Sequence, residues 1–489
     1  MGDMVKRPFI SVNPQKGRRM IFGFLCAALL AGCGTFSQYP VGMEQTTLSP
    51  LREGKKTDYQ KTFGKRTNGT AQVLFSMEMG RVAQLEGDFD VSRSAFARAI
   101  AATEDQDNKA AISASGAAAQ TGAVLVNDKV IPYRAPSYER TMVHHYQALN
   151  YLAMNDVVGA GVEVRRANRE QEAARSRHEG EVKAASSKEE NVSPDEKRDP
   201  NLLSVYAGLD EMAGSVKYSF QNAATFYVSS VIWEMLGEPN DAYIDCKKAL
   251  EIYPENPTLQ QDVIRLGKRL GMREDVDDFS RRFPGAADTP ADGSADLKKK
   301  ARLVVLYEEG FVPEKSEVSI PYPLPAADSI GMVALPVYEK FVPLPVPVSV
   351  SVGGRGVGQT APICNVAALA VRGLEEQMPG ILTRQVARAV TKAVASKAAK
   401  DAGGDWGELV ATLYNVLSEQ ADLRSWLTLP AHIQILSAWV DPGKETVALG
   451  GGGGGAVWSG DVTLKAGKTT LVYVTHIDLA VFSHVMVQP

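Results

Sequence analysis

Cysteine is scarce in this chain: Cys26, Cys33, Cys246 and Cys364 are the only four among 489 residues. None stands in a C-x-x-C pair or in a Cys/His cluster with zinc spacing, which excludes the usual structural zinc and dithiol redox centres. Histidine is nearly as rare, at His144, His145, His178, His432, His476 and His484. The adjacent pair cannot share a helix face, because consecutive helical residues point about 100° apart. Neither an H-E-x-x-H motif nor a G-x-S-x-G nucleophile elbow occurs, so the sequence points to no catalytic constellation, metal or cofactor. A formal charge of −4 without a basic stripe gives no reason to expect nucleic acid. The apolar run Ile21–Ala31 is eleven residues long, well short of the ~20 that a spanning helix needs.

What is present begins with charge. Lys6, Arg7, Lys16, Arg18 and Arg19 precede that apolar run, with no acidic residue after Asp3. A basic segment followed by a short apolar one is the order of a signal peptide. The run ends in Leu30-Ala31-Gly32-Cys33, which resembles the lipobox of bacterial lipoproteins. The resemblance implies cleavage before Cys33, a diacylglycerol on its sulfur and fatty acids such as palmitate; a single acyl chain would anchor only marginally. Gly34-Thr35-Phe36-Ser37 contains no early Asp. In Gram-negative lipoproteins that implies the outer membrane, with the chain facing the periplasm. Residues 1–32 are then a signal peptide. Residues 33–69 show few helix signals and read as a tether, which at about 3.3 Å per residue could reach on the order of 100 Å.

Apolar content of 44% and charged content of 22% are ordinary for globular protein, and the length leaves room for two or three domains. From residue 70 to 284 the pattern is that of paired helices. The clearest unit is Val228–Pro257, with Trp233 at a bulky position, Gly237 as a C-cap, Ala242 and Ala249 at close crossings and Pro254 ending the second helix. It resembles a tetratricopeptide repeat. Two further matches place Gly80, Phe96 and Ala99, and Ala148, Ala160 and Ala167, at equivalent packing sites. In the second of these Asn155 stands where the turn glycine belongs. Leu259–Phe283 reads as a degenerate closing hairpin with Gly267 at the crossing. The resemblance implies a concave surface of the kind that binds peptides or proteins; the other reading is that the array only supports the second half.

Residues 285–300 have linker composition. Residues 301–489 read as a β-rich domain with two packed helices, Ile381–Ala399 and Asp405–Gln420, giving an α+β fold class overall. The alternating Pro345–Val352 carries prolines that place it at a sheet edge. Gly353–Gly358 lacks the spacing of a dinucleotide loop and Gly467-Lys468-Thr469 that of a P-loop, so both read as turns, the second as a hairpin. Arg424 beside Trp426 suits a binding site, as those residue types dominate interfaces. Equally, Arg424 could pair with Asp422 and fix a loop, and that structural reading is the favoured one.

Together these features point to a noncatalytic protein-binding adaptor in the cell envelope, held to the membrane by its acyl anchor and joined to a protein or peptide partner. The chain is similar to poorly characterised tetratricopeptide lipoproteins of Gram-negative bacteria. Some such proteins activate penicillin-binding proteins, so a regulator of peptidoglycan synthesis is the alternative; an envelope enzyme stands behind both.

Overall fold

A computed structural model describes residues 38–115, 132–188, 208–291, 297–324, 329–339, 344–382, 384–385, 420–450 and 455–489. The lipobox, most of Ile381–Ala399 and nearly all of Asp405–Gln420 lie outside them.

Among the described residues the helical half holds four hairpins: α1 (Gln72–Leu85) with α2 (Phe89–Ser115), α3 (Ser137–Ala153) with α4 (Val157–Lys188), α5 (Ala223–Leu236) with α6 (Pro239–Ile252), and α7 (Pro257–Leu270) with α8 (Arg273–Arg282). One local device ends the first helix of every pair. Gly87, Asn155, Gly237 and Gly271 all take a left-handed φ, between 59° and 82°. In each case the residue itself and its successor donate backone N–H groups back to the helix, as Gly237 does to Glu234 and Glu238 to Trp233. This satisfies carbonyls that the helix end would otherwise orphan. Asn155 serves because asparagine tolerates that conformation better than other side-chain-bearing residues. The next helix then starts on a cap in two of the pairs, Asp88 accepting from Val91 N and Asp156 from Gly159 N.

The helix pairs approach closely where the sequence is small. A Cβ on Gly80 would lie 2.7 Å from the Phe96 ring, so only glycine admits that contact. Phe96, Ala99, Ala148, Ala160, Ala167, Trp233, Ala242 and Ala249 are all buried. Pro254 follows the end of α6, and its carbonyl accepts from Gln260 Nε2.

The tether reading is corrected from Tyr39 onward. Helical turns at Tyr39–Met43, Glu44–Leu48, Ser49–Arg52 and Tyr59–Phe63 dock Tyr39, Met43, Leu48, Leu51 and Phe63 into the main core. Their apolar residues are too widely spaced to show a helical stripe, so docking rather than local periodicity orders them.

The second half adds two sheets. One holds five strands in the order β11 (Ala480–Val487), β10 (Thr469–Ile477), β1 (Ala301–Glu309), β7 (His432–Val440), β6 (Ala361–Asn365). Its β1–β10 pair is parallel and the others antiparallel. The other sheet is antiparallel, ordered β5 (Arg355–Gln359), β4 (Ser349–Val352), β8 (Gly443–Gly450), β9 (Ala456–Leu464). A separate hairpin pairs β2 (Ser316–Leu324) with β3 (Ser329–Val337). The edge assignment for Pro345–Val352 is corrected: β4 lies between β5 and β8, and Pro345 and Pro347 precede the strand instead of entering it. Gly467 is a corner between sheets, not a hairpin, since β9 and β10 belong to different ones. The helix expected from Ile381 begins earlier, at residue 366, where Asn365 caps it through Ala368 N.

Strand alternation sorts side chains into two layers. Leu303, Val305, Tyr307, Val472 and Val474 pack against Val350, Val352, Val447 and Val462 of the second sheet. Val304, Leu306, Leu471, Tyr473, Ile433 and Ile435 face the helices, where they belong to the same apolar cluster as Leu74, Tyr146 and Trp233. The order is therefore helices, sheet, sheet, and β1, covered on both faces, is buried almost throughout, with an apolar run from Leu303 to Tyr307. No described helix is long and apolar enough to cross a membrane.

Candidate functional site

The helical array does not stand open. Residues 421–433 run along α1 and α3 almost wholly buried, held as a bound peptide would be. Glu78 on α1 receives Tyr39 Oη and Leu427 N at 2.7 Å on one oxygen, and Thr428 Oγ1 at 2.6 Å on the other. Glu139 on α3 receives Trp426 N at 2.9 Å, Tyr133 Oη at 2.6 Å and Tyr138 Oη at 3.1 Å. Burial pushes the Glu78 carboxyl up to about 7 against the opposing pull of those donors, and burial likewise raises Glu139. Trp426, fully buried, lies 5.8 Å from the Phe96 ring and 5.9 Å from that of Tyr146, with its indole N–H on Thr428 Oγ1.

Behind this segment lies a second polar knot. Arg81, three residues beyond Glu78 on α1, forms an ion pair with Glu308 of β1 and donates to Tyr473 Oη and Gln84 Oε1. Tyr146, Tyr473 and Thr475 hydroxyls complete the Glu308 carboxylate at 2.8–2.9 Å. A third knot joins α5 and α7 to the sheet: Arg265 and Arg302 grip Glu234 and Asp262. Burial alone would raise Glu234, but the two guanidiniums hold it down at about 2. In these two knots each buried charge is thus paired and hydrogen-bonded, as a low dielectric demands.

Beside residues 421–424 a cleft of about 360 Å³ opens between the two halves. Among the described residues, Arg134, Lys315, Arg384 and Arg424 line it, with Asp422 as the one acidic side chain. Arg424 is bound bidentately to Asp422, at 2.8 and 2.7 Å, and its guanidinium lies 5.4 Å from the Tyr133 ring centroid. Lys315 donates to the Arg424 carbonyl at 3.1 Å, and burial lowers its pKa. Arg134 and Arg384 are exposed at the mouth.

Of the two residues that sequence suggested for binding, Trp426 is an internal anchor and Arg424 forms the wall of this cleft. The histidines do not converge. His144 meets Glu163 at 2.7 Å, while His145 faces Thr225 and is lowered by burial to about 3. No cluster of three potential metal ligands occurs among the described residues. Cys246 and Cys364 are separate free thiols, both pushed up by burial, which suppresses thiolate chemistry.

Glu78, Arg81, Glu139 and Glu308 were invisible to motif reasoning. Their one signal was a charge set in an apolar context, as in Met77-Glu78-Met79-Gly80-Arg81. No protein-family model, curated protein or solved structure matches the chain. Fold and site together define a helical-hairpin array closed over its own β-sandwich, with a cationic cleft at the seam.

Proposed function

We propose that the chain is a periplasmic lipoprotein, held to the outer membrane through Cys33, which acts as a noncatalytic adaptor and receives an acidic segment of an envelope protein in the cleft at the seam. The observation that supports this reading is the cleft itself, where, among the described residues, four cationic side chains stand with one carboxylate. Complementary charge steers association and selects partners. The inner face of the array is occupied by residues 421–433, so the partner surface is moved from the concave side of the repeats to the seam.

The test is photo-crosslinking in cells from positions 377 and 381, which line the cleft beside the two exposed arginines, with position 281 on the exposed last turn of α8 as control. A discrete partner crosslinked from the cleft and lost in Arg134→Glu/Arg384→Glu supports the reading. Crosslinks that survive the charge reversal, or arise only at position 281, overturn it. For the anchor, Cys33→Ser must abolish membrane retention of the processed chain.

A further inference from the structure

The first described residue, Gln38, lies five positions after Cys33 and leads directly into the docked turn Tyr39–Met43. Five residues span at most roughly 18 Å. If Cys33 carries the lipid, which is the reading proposed above, the body cannot stand off from the bilayer, and the face around residues 38–66 must lie against it.

The composition of that face suits a lipid surface. Residues 38–66 hold Arg52, Lys55, Lys56, Lys61, Lys65 and Arg66 against Glu44, Glu53 and Asp58, in a chain whose overall charge is −4. Arg52 is committed to Glu44 and Asp478, and Lys55 to Glu53. Lys56, Lys61 and Lys65 are exposed and take part in no ion pair among the described residues. Next to this segment projects the tip of the β10–β11 hairpin. Asp478, at φ 51°, makes the tight turn, and Ala480 approaches Gly54, where an added Cβ would lie 3.7 Å away. Between them Leu479 is 89% exposed, the most exposed large apolar side chain among the described residues, and Val41 is 56% exposed. A leucine left in water at a hairpin tip, against a segment that carries three lysines outside any described ion pair and that begins a few residues after Cys33, has one occupant that satisfies all three features.

We propose that residues 38–66 and the 478–480 turn form a bilayer-apposed face, with Lys56, Lys61 and Lys65 on anionic phospholipid headgroups and Leu479 inserted at the acyl boundary. A second signal of this kind is what makes lipid anchoring firm and fixes orientation. It turns the acyl chain from a leash into one corner of a footprint.

The test uses the unacylated chain from Gly34, which keeps every described residue, in co-sedimentation with phosphatidylcholine vesicles with or without phosphatidylglycerol. Binding to the anionic vesicles alone is expected. Lys56→Glu/Lys61→Glu/Lys65→Glu lowers it on the order of a hundredfold, at about fivefold per lysine lost. Leu479→Asp, which changes a side chain left almost wholly in water, lowers it by roughly tenfold. Absence of binding to anionic vesicles, or binding that both variants retain, overturns the proposal. The anchor is read separately, from the intact mass of the N-terminal peptide of membrane-purified full-length protein. An unmodified Cys33 there removes the anchor reading without touching the vesicle result.

Discussion

Replacing Arg81 with leucine is expected to loosen the helices and the sheet together. The guanidinium and its partner Glu308 are 1% and 0% exposed, and they join α1 to β1. Without Arg81 the Glu308 carboxylate keeps three hydroxyl donors, from Tyr146, Tyr473 and Thr475, but no countercharge. Removing one partner of a buried ion pair costs about 3–5 kcal/mol, a large part of the ~5–15 kcal/mol that holds a typical domain. Glu308→Leu should cost a similar amount by stranding Arg81. The double variant should cost clearly less than the sum, because neither charge is then left alone. Urea unfolding gives these energies, and amide hydrogen exchange read by peptide mass shows where they act. Peptides from α3 and α4 and peptides from β7 and β10 should lose protection in parallel, since their side chains share one apolar cluster. If helical peptides keep wild-type protection while the sheet opens, or if the two single costs simply add, the reasoning is refuted.

Three further outcomes are expected. Burial raises Glu78 from 4.5 to about 7, so the folded state binds a proton that the unfolded chain has already released; stability from this group is greatest below pH 4.5 and falls by about 3 kcal/mol as pH rises to 7. Urea titrations across pH 5–7 should show that slope flattened in Glu78→Gln. At Gly80, alanine forces a contact with Phe96 and should destabilise by about 1–3 kcal/mol in thermal unfolding, with part of the loss recovered in Gly80→Ala/Phe96→Leu. Asn155→Val should cost about 1–2 kcal/mol by equilibrium denaturation, because its φ of 59° excludes branched side chains, whereas Asn155→Gly should be nearly neutral.

The helical hairpins were legible because their signals are local. Gly87, Asn155 and Gly237 sit between amphipathic stretches, and a left-handed turn followed by a capping aspartate or a proline can be read within a few residues. Small residues at Gly80, Ala148 and Ala242 were legible for the same reason, as they set how closely two neighbouring helices approach. Strand β1 showed as an apolar run, but nothing near it in sequence says that its neighbours are β10 and β7. Short elements fared worst. The exposed β5 shows no alternation to detect, and β6 is five residues whose pairing is completed by β7. The docked turns before residue 64 were missed because their order comes from contacts with α1, such as Tyr39 against Phe75 at 5.9 Å.

The sequence by itself determined where the first helices of the hairpins end, which helix pairs cross closely and that strands dominate the second half. Those properties follow from backbone sterics, capping and side-chain periodicity within about one turn or one strand. Tertiary structure decided what fills the inner side of the array and which charges are buried there. Glu78 meets Leu427 and Thr428 across 349 and 350 residues of chain, and Arg81 meets Glu308 across 227. A carboxylate on a helix reads as solvated until a distant segment removes its water and supplies N–H and O–H donors instead. Only the folded chain brings those donors to it.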